Sequence, residues 1–174
     1  PYPWWTITGV TNGRSVTDLP VRVVYYIGTE NQNGGDPNNT NSLLMASYND
    51  GRFIQFWEGL RQGLPYSGTI NKFVEGNAQD YWKNQDATVA MVEELQRELL
   101  QMHQLDYIPA PYSAAYKDWS DDPFGGAWNT WNVGVKAWEV IKQMIQPDLN
   151  SNLFICGSAY SQWQGWVEGA LQTA

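Results

Sequence analysis

The sequence predicts a mixed α/β protein, and three observations carry that prediction. The chain has 174 residues, enough for one domain with a buried core. The run VRVVYYI over residues 21–27 is β-branched and aromatic and lies between Pro20 and Gly28, which is typical of a strand. Apolar residues later recur at the spacing of one helix face, at Val92, Leu95, Leu99 and Met102. Strands and helices are therefore expected in the same chain.

Composition and charge exclude several classes of protein. Hydrophobic residues make up 43% of the chain and charged residues 16%, with no apolar run as long as a membrane span. The net charge of −8 repels phosphate backbones and anionic lipids. With one cysteine and one histidine, the chain has neither an internal disulfide nor a Cys/His zinc site. We expect a soluble globular protein that binds neither nucleic acid nor a membrane.

Both ends of the sequence indicate a piece of a longer precursor. The chain begins Pro1-Tyr2-Pro3-Trp4-Trp5, with neither an initiator methionine nor a signal peptide. The helical pattern of residues 164–174 runs to the last residue without a terminator. We expect a processed or truncated chain.

A hairpin and a short helix are predicted next. A second strand over residues 43–48 ends at the turn Asn49-Asp50-Gly51, and the polar loop 28–41 joins it to the first strand. Within that loop, Asn38-Asn39-Thr40 fits the acceptor motif for an N-linked glycan. Mixed apolar spacing over residues 53–60 indicates a short helix.

The longest predicted helix follows. Asp86 is expected to cap its N-terminus, and Glu93 to pair with Arg97 one turn later. His103 lies at the end of this helix beside polar residues. We interpret it as a solvated or helix-end histidine, with catalysis as the alternative.

The last third of the sequence differs in composition from the rest. Residues 119–131 are rich in Gly and Trp and cannot form a regular helix through Pro123. A helix over 135–145, a strand over 152–156, a turn at Gly157-Ser158 and a final helix from Gln164 are predicted next. A strand, a small-residue turn and a helix N-terminus can hold a cofactor, because unpaired amides and the helix dipole face it. Cys156 is expected in the buried strand, with a catalytic thiol as the alternative.

Three ordered segments resemble the flavin-containing amine oxidase family. LFICGSAYSQWQGWVEGAL, residues 153–171, resembles its C-terminal signature. GRSVTDLP, residues 13–20, leading to Tyr25-Tyr26, resembles the L-amino-acid oxidase branch, as does Ser47-Tyr48. DPFGGAW, residues 122–128, resembles the loop over the flavin ring.

This resemblance implies the C-terminal fragment of a two-domain FAD-binding fold. Residues 1–118 are then a β-rich part of the substrate-binding domain, residues 119–146 a flavin-covering loop and connecting helix, and residues 147–174 the closing strand and helix of a Rossmann-like FAD domain. The family's GxGxxG motif, carboxylate-binding arginine and flavin-facing lysine lie upstream. The expected partner is therefore an upstream chain of the same precursor, in a higher oligomer.

The activity implied is that of an FAD-dependent L-amino-acid oxidase, which uses O2 and releases a keto acid, ammonia and hydrogen peroxide. The FAD is expected to be non-covalent, because Ala127 stands where tethering members have a cysteine. An L-amino-acid 2-monooxygenase is the alternative on the same scaffold. A non-catalytic aromatic-rich binding module is a second alternative, since the chain has 10 Trp and 10 Tyr.

The resemblance also assigns site residues. Trp128 and Trp166 form the two-ring cage that orients the substrate, Tyr48 binds the substrate carboxylate, and the Gly165 carbonyl accepts from the amino group. Without the resemblance, both tryptophans are expected in the core. The FAD-binding residues are expected to be Gly126, Ala127, Gly157, Ser158, Gly165, Trp166 and Val167. Ser158 replaces the usual glutamate and retains a hydroxyl for the ribityl chain.

Overall fold

The computed structural model describes residues 12–38, 40–66, 86–121 and 129–174. The chain divides into two compact units, Pro1–Lys117 and Asp118–Ala174. The described residues form a three-stranded antiparallel sheet and four α-helices. The predicted mixed α/β class is confirmed. The functional roles that the amine oxidase resemblance assigns to residues 13–20, 122–128 and 153–171 stay predictions.

The sheet lies in the first unit. Its strands are β1 (Arg14–Val16), β2 (Val23–Thr29) and β3 (Ser42–Met45), in the order β1-β2-β3. Tyr25 of β2 pairs with Arg14 on one side and Met45 on the other. The predicted β2–β3 hairpin is confirmed. The sequence analysis missed β1, because three residues are too short to show an alternating pattern.

Both predicted strands have shifted ends. β2 begins two residues later than predicted because Arg22 has a φ of 53°, which no strand residue adopts. The Arg22 amide instead closes a turn on the Leu19 carbonyl at 2.8 Å. β3 ends at Met45 rather than at Tyr48. The Tyr48 amide still donates to the Val23 carbonyl at 2.9 Å, so the chain stays beside β2.

Two helices complete the first unit, α1 (Arg52–Leu60) and α2 (Val89–His103). Both predicted helices are confirmed. The predicted cap of α2 is wrong, because Thr88, and not Asp86, has the extended conformation of an N-cap and accepts from the Met91 amide at 3.2 Å.

The predicted ion pair on α2 is also wrong. Arg97 binds Glu94, three residues earlier, with Nε 2.8 Å from Oε2 and Nη2 2.5 Å from Oε1. The planar guanidinium contacts both carboxylate oxygens of Glu94, a fork geometry that favours this partner over Glu93.

Apolar side chains from the sheet and both helices form one core. Trp57 of α1 is buried and its indole donates to the Pro20 carbonyl at 3.0 Å. The buried members of the core are Val21, Val24, Tyr26, Trp57, Ala87, Met91, Val92, Leu99 and Ile108.

Two polar contacts also join the sheet region to α2. Glu98 has no exposed surface, and its Oε2 accepts from the Val21 amide at 2.7 Å. Five residues further along both segments, the Tyr26 hydroxyl lies 2.8 Å from His103 Nε2. Burial lowers the pKa of His103 and raises that of Tyr26. His103 therefore lies at the helix end as predicted, half-buried against Tyr26.

The second unit contains α3 (Ala137–Ile145), a 3₁₀ turn (Ser158–Tyr160) and α4 (Val167–Gln172). The 3₁₀ turn contacts both helices. Both predicted helices are confirmed, each starting later than expected. Gly134, with a φ of 89°, and Lys136 precede α3 in non-helical conformations. Gly165, with a φ of 80°, delays α4 until Val167.

The predicted strand over residues 152–156 is wrong. Within the described part of this unit, Leu153 forms only an isolated bridge with Asp148, and the Ile155 amide donates to the Ile145 carbonyl at 2.9 Å. A strand needs a neighbour along its length, and the described residues of the second unit supply none. Cys156 is consequently exposed and not part of a core.

Candidate functional site

The Gly157 turn is the first part of the candidate site. Gly157 has a φ of 154°, in the region that favours glycine, and open space surrounds the position a Cβ would take. The Ser158–Tyr160 3₁₀ turn follows directly. The Ser158 hydroxyl forms no hydrogen bond within the described residues. A ligand can thus approach Gly157 closely and reach the Ser158 hydroxyl.

Thr173 ties that turn to the end of α4. Its Oγ1 accepts from the Gly157 amide at 2.9 Å and lies 3.0 Å from the Ala170 carbonyl. The Gly157 and Gly169 carbonyls are each 3.3 Å from the same oxygen. The hydroxyl is almost fully buried, and it therefore fixes the position of Gly157 relative to the helix.

Ser161 and Gly169 form the second link. The buried Ser161 hydroxyl donates to the Ser158 carbonyl at 2.9 Å and accepts from the Trp163 amide at 3.0 Å. A Cβ on Gly169 would overlap both Ser161 Oγ and the Trp163 carbonyl. The helix can therefore approach this loop only because residue 169 is glycine. We call Gly157, Ser161, Gly169 and Thr173 the C-terminal clasp.

Trp166 and Val167 lie at the entrance to α4. Trp166 is the N-cap in an extended conformation, and its amide donates to the Trp163 carbonyl at 3.3 Å. Its side chain is 68% exposed and that of Val167 72% exposed. Trp166 is therefore not a core tryptophan. The Val167 amide opens the helix and has no intrahelical acceptor.

Gly165 allows the chain to turn into α4. Its φ of 80° is one that other residues adopt only at a cost. The preceding side chain, Gln164, bonds back to the Ala159 carbonyl at 2.7 Å instead of starting the predicted helix. The structure brings the predicted residues Gly157, Ser158, Gly165, Trp166 and Val167 into one unit.

Tyr48 lies in the first unit, after β3. Its ring packs edge-on against Tyr25, with ring centroids 5.9 Å apart. The side chain is 57% exposed, and its hydroxyl forms no hydrogen bond within the described residues. The hydroxyl is thus accessible for a ligand.

Three predicted site residues lie outside the described residues, namely Gly126, Ala127 and Trp128. Among the residues that the structure does describe, no group of three His, Cys, Asp or Glu side chains could hold a metal ion. No helix in the described ranges is long and apolar enough to cross a membrane.

The chemistry available at the clasp is binding chemistry. Between residues 153 and 173 the one charged side chain is Glu168, and the segment has no His, Lys or Arg. It offers backbone amides, hydroxyls and indole rings. Such a set is suited to holding a cofactor that brings its own reactivity.

Sequence reasoning missed Thr173 and Ser161. Both are single small polar residues whose importance comes from burial and from distant backbone partners. No local pattern marks either of them. Gly169 lies within the predicted signature, but its close approach to Ser161 is visible only in the structure.

Comparison with known proteins gives a distant match. No family model matches the chain. The chain is 28% identical, over 186 aligned residues, to Aplysianin-A of Aplysia kurodai. The alignment covers 98% of this chain but 29% of that protein, so the chain spans less than a third of its relative.

Proposed function

We propose that this chain is the C-terminal part of an FAD-dependent L-amino-acid oxidase. The reaction converts an L-amino acid, water and O2 into a keto acid, ammonia and hydrogen peroxide. The C-terminal clasp carries the proposal, because it fixes the two glycines that match the amine oxidase signature, Gly157 through its hydrogen bond to Thr173 and Gly169 through its close approach to Ser161. The distant similarity to Aplysianin-A supports the same family.

The residues of the clasp region fit an FAD. The open space at Gly157 lets a ligand approach the backbone closely, and the Ser158 hydroxyl is available for a ribityl hydroxyl group. Of the Trp166 and Val167 amides, that of Val167 is the donor left for the flavin ring, since the Trp166 amide already binds the Trp163 carbonyl.

When bound, the FAD supplies the hydride acceptor. In this proposal the exposed Trp166 ring forms one wall that orients the substrate and excludes water. The Gly165 carbonyl accepts a hydrogen bond from the substrate amino group, and the Tyr48 hydroxyl donates one to its carboxylate. Trp128, outside the described residues, is proposed as the second wall.

We further infer that an upstream chain of the same precursor covers part of the second unit, within a higher oligomer. Large apolar side chains lie exposed there, which a soluble monomer seldom tolerates in such number. They are Leu149, Leu153, Phe154, Trp163 and Leu171. In the proposal that chain also supplies the GxGxxG motif, the carboxylate-binding arginine and the flavin-facing lysine.

A binding module for sugars or peptides is the second candidate function. The observation in its favour is that Trp138, Trp163 and Trp166 of the second unit are more than half exposed. Exposed indoles can stack on flat ligands without any cofactor. A colourless intact protein that binds an oligosaccharide would favour this candidate.

The test of the oxidase proposal uses the intact protein purified with any chain that accompanies it. We expect flavin absorbance in the visible range and peroxide release that depends on an L-amino acid. An amide product without peroxide would identify the 2-monooxygenase alternative instead. A flavin-free assembly that stays colourless after incubation with FAD would contradict both flavin enzymes.

A further inference from the structure

The loop between β2 and β3 contains an acceptor motif that the proposed oxidase function does not use. Asn38-Asn39-Thr40 has an asparagine, a middle residue other than proline, and a threonine two positions on. No other Asn in the chain is followed two residues later by Ser or Thr across a non-proline residue. The sequence therefore offers one candidate position for an N-linked glycan.

The loop that carries the motif is closed at its base and exposed to solvent. The Glu30 amide donates to the Asn41 carbonyl at 3.2 Å, which closes the loop at its base. Between these two residues, residues 31–38 and 40 are exposed. The first half is held by the Asn33 side chain, which donates to the Ile27 carbonyl at 2.7 Å and to the Thr29 carbonyl at 2.9 Å. In the second half, residues 36–38 and 40 face solvent.

The two reacting side chains of the motif are available. The Asn38 backbone amide donates to Asp36 Oδ1 at 2.9 Å, which turns the chain just before the motif. The Asn38 carboxamide and the Thr40 hydroxyl form no hydrogen bond within the described residues. Neither side chain belongs to the hydrophobic core. A bulky group on Asn38 would therefore break no contact that stabilises the fold.

We propose that Asn38 is an N-glycosylation site, modified when the chain enters a eukaryotic secretory compartment. The sugar donor is an oligosaccharide linked to a lipid diphosphate. A bond forms between Asn38 Nδ2 and the anomeric carbon of the donor while the anomeric C–O bond breaks. The lipid diphosphate leaves with the bonding electron pair, and Nδ2 loses one proton. No oxidant or reductant is consumed.

The proposal does not depend on the oxidase assignment, because the loop shares no residue with the proposed flavin or substrate site. The glycan is expected to be exposed to solvent on the folded protein. A glycan in a buried or paired position would resist enzymatic removal until the protein is unfolded.

The test is to express the full chain behind a secretory signal in a eukaryotic cell and to analyse cells and medium together. Trypsin releases residues 23–52 as one peptide, since Arg22 and Arg52 flank it without another Lys or Arg between them. We expect that peptide to carry an oligosaccharide removable by peptide N-glycosidase from the native, undenatured chain, leaving aspartate at position 38.

Variants separate the motif from its surroundings. Asn38→Gln and Thr40→Ala are expected to abolish the modification, while Thr40→Ser keeps it. Asn41→Gln, an exposed position in the same loop outside the motif, is the matched control and should remain glycosylated. An unmodified wild-type peptide in both fractions, or a modification that persists in Asn38→Gln, would overturn the proposal.

Discussion

The Val21 amide donates a 2.7 Å hydrogen bond to Glu98 Oε2, although 77 residues separate the two along the chain. The other oxygen, Glu98 Oε1, is buried without a hydrogen-bond partner among the described residues, and Arg97 Nη2 is 3.8 Å from it. One carboxyl oxygen thus fixes the approach to β2 against α2, while the other is buried without a hydrogen-bond donor. Burial without a donor favours a proton on that carboxyl.

The protonation of Glu98 gives the first unit a predicted pH dependence. Burial is the main cause that raises the pKa of Glu98 from 4.5 to about 7, Glu94 adds to the shift, and Arg97 opposes it. The folded state binds this proton more tightly than the unfolded state does. The stabilisation that protonated Glu98 gives the fold is therefore complete below pH 4.5 and is lost as the pH rises through about 7.

We predict that Glu98→Gln stabilises the protein in alkaline solution. The amide keeps an acceptor for the Val21 amide and carries no charge, so the free energy of unfolding above pH 7 should rise by roughly 1–3 kcal/mol. Urea denaturation of the intact protein on both sides of that pH measures it. Glu93→Gln, at an exposed position of the same helix, is the control, and an equal response from the two variants would contradict the prediction.

Gly169→Ala is predicted to disrupt the C-terminal clasp. The new methyl group would overlap Ser161 Oγ and the Trp163 carbonyl, and such overpacking typically costs about 1–3 kcal/mol. If the clasp holds FAD as proposed, gel filtration should strip flavin from the variant and not from the wild type. Gly59→Ala, in α1 with open space around its Cβ, controls for the loss of glycine flexibility and should retain the flavin.

Thr173→Val is predicted to weaken FAD binding without preventing folding. It removes the acceptor of the Gly157 amide and leaves a donor unpaired, at a cost of about 1–2 kcal/mol. The dissociation constant for FAD should rise roughly tenfold, since that factor corresponds to about 1.4 kcal/mol. Fluorescence titration of the flavin-depleted protein measures the change. Thr173→Ser keeps the hydroxyl and should bind like wild type; equal weakening in both variants would argue against the hydrogen bond as the cause.

Tyr48→Phe tests the proposed carboxylate contact. The exposed hydroxyl is lost while the ring can still pack against Tyr25. Losing a hydrogen bond to a charged group costs about 1.5–3 kcal/mol, so kcat/KM for L-amino acids should fall roughly ten- to a hundredfold with FAD still bound. Amines without a carboxylate serve as the comparison, and kcat/KM for them should fall much less. Unchanged kcat/KM for every L-amino acid would remove Tyr48 from the substrate site.

The FAD is predicted to leave the chain on acid denaturation. In the proposed alignment with the amine oxidases, Ala127 occupies the position of a tethering cysteine, and alanine can form no thioether to the flavin. After acid precipitation of the intact protein, the absorbance should therefore appear in the supernatant. Colour that remains in the pellet and co-migrates with this chain on a denaturing gel would show the alignment of this loop to be wrong.

The sequence was sufficient for the elements with the strongest local pattern. The VRVVYYI run and the helical spacing of Val92, Leu95 and Leu99 predicted β2 and α2, and the structure contains both. These elements depend on neighbouring residues, since side-chain periodicity decides which face is buried. The signature over residues 153–171 similarly predicted that Gly157 and Trp166 belong to the FAD site.

Tertiary structure alone decided what surrounds the individual residues. Whether residues 152–156 form a strand depends on a neighbouring strand, and the described part of the second unit offers none to them, so Cys156 is exposed. Glu98 looks like a solvent-facing helix residue in the sequence, yet it is buried against Val21. Thr173 carries no motif, but its hydroxyl binds Gly157, 16 residues away. Periodicity records which residues are apolar, whereas burial and hydrogen bonding depend on segments that only folding brings together.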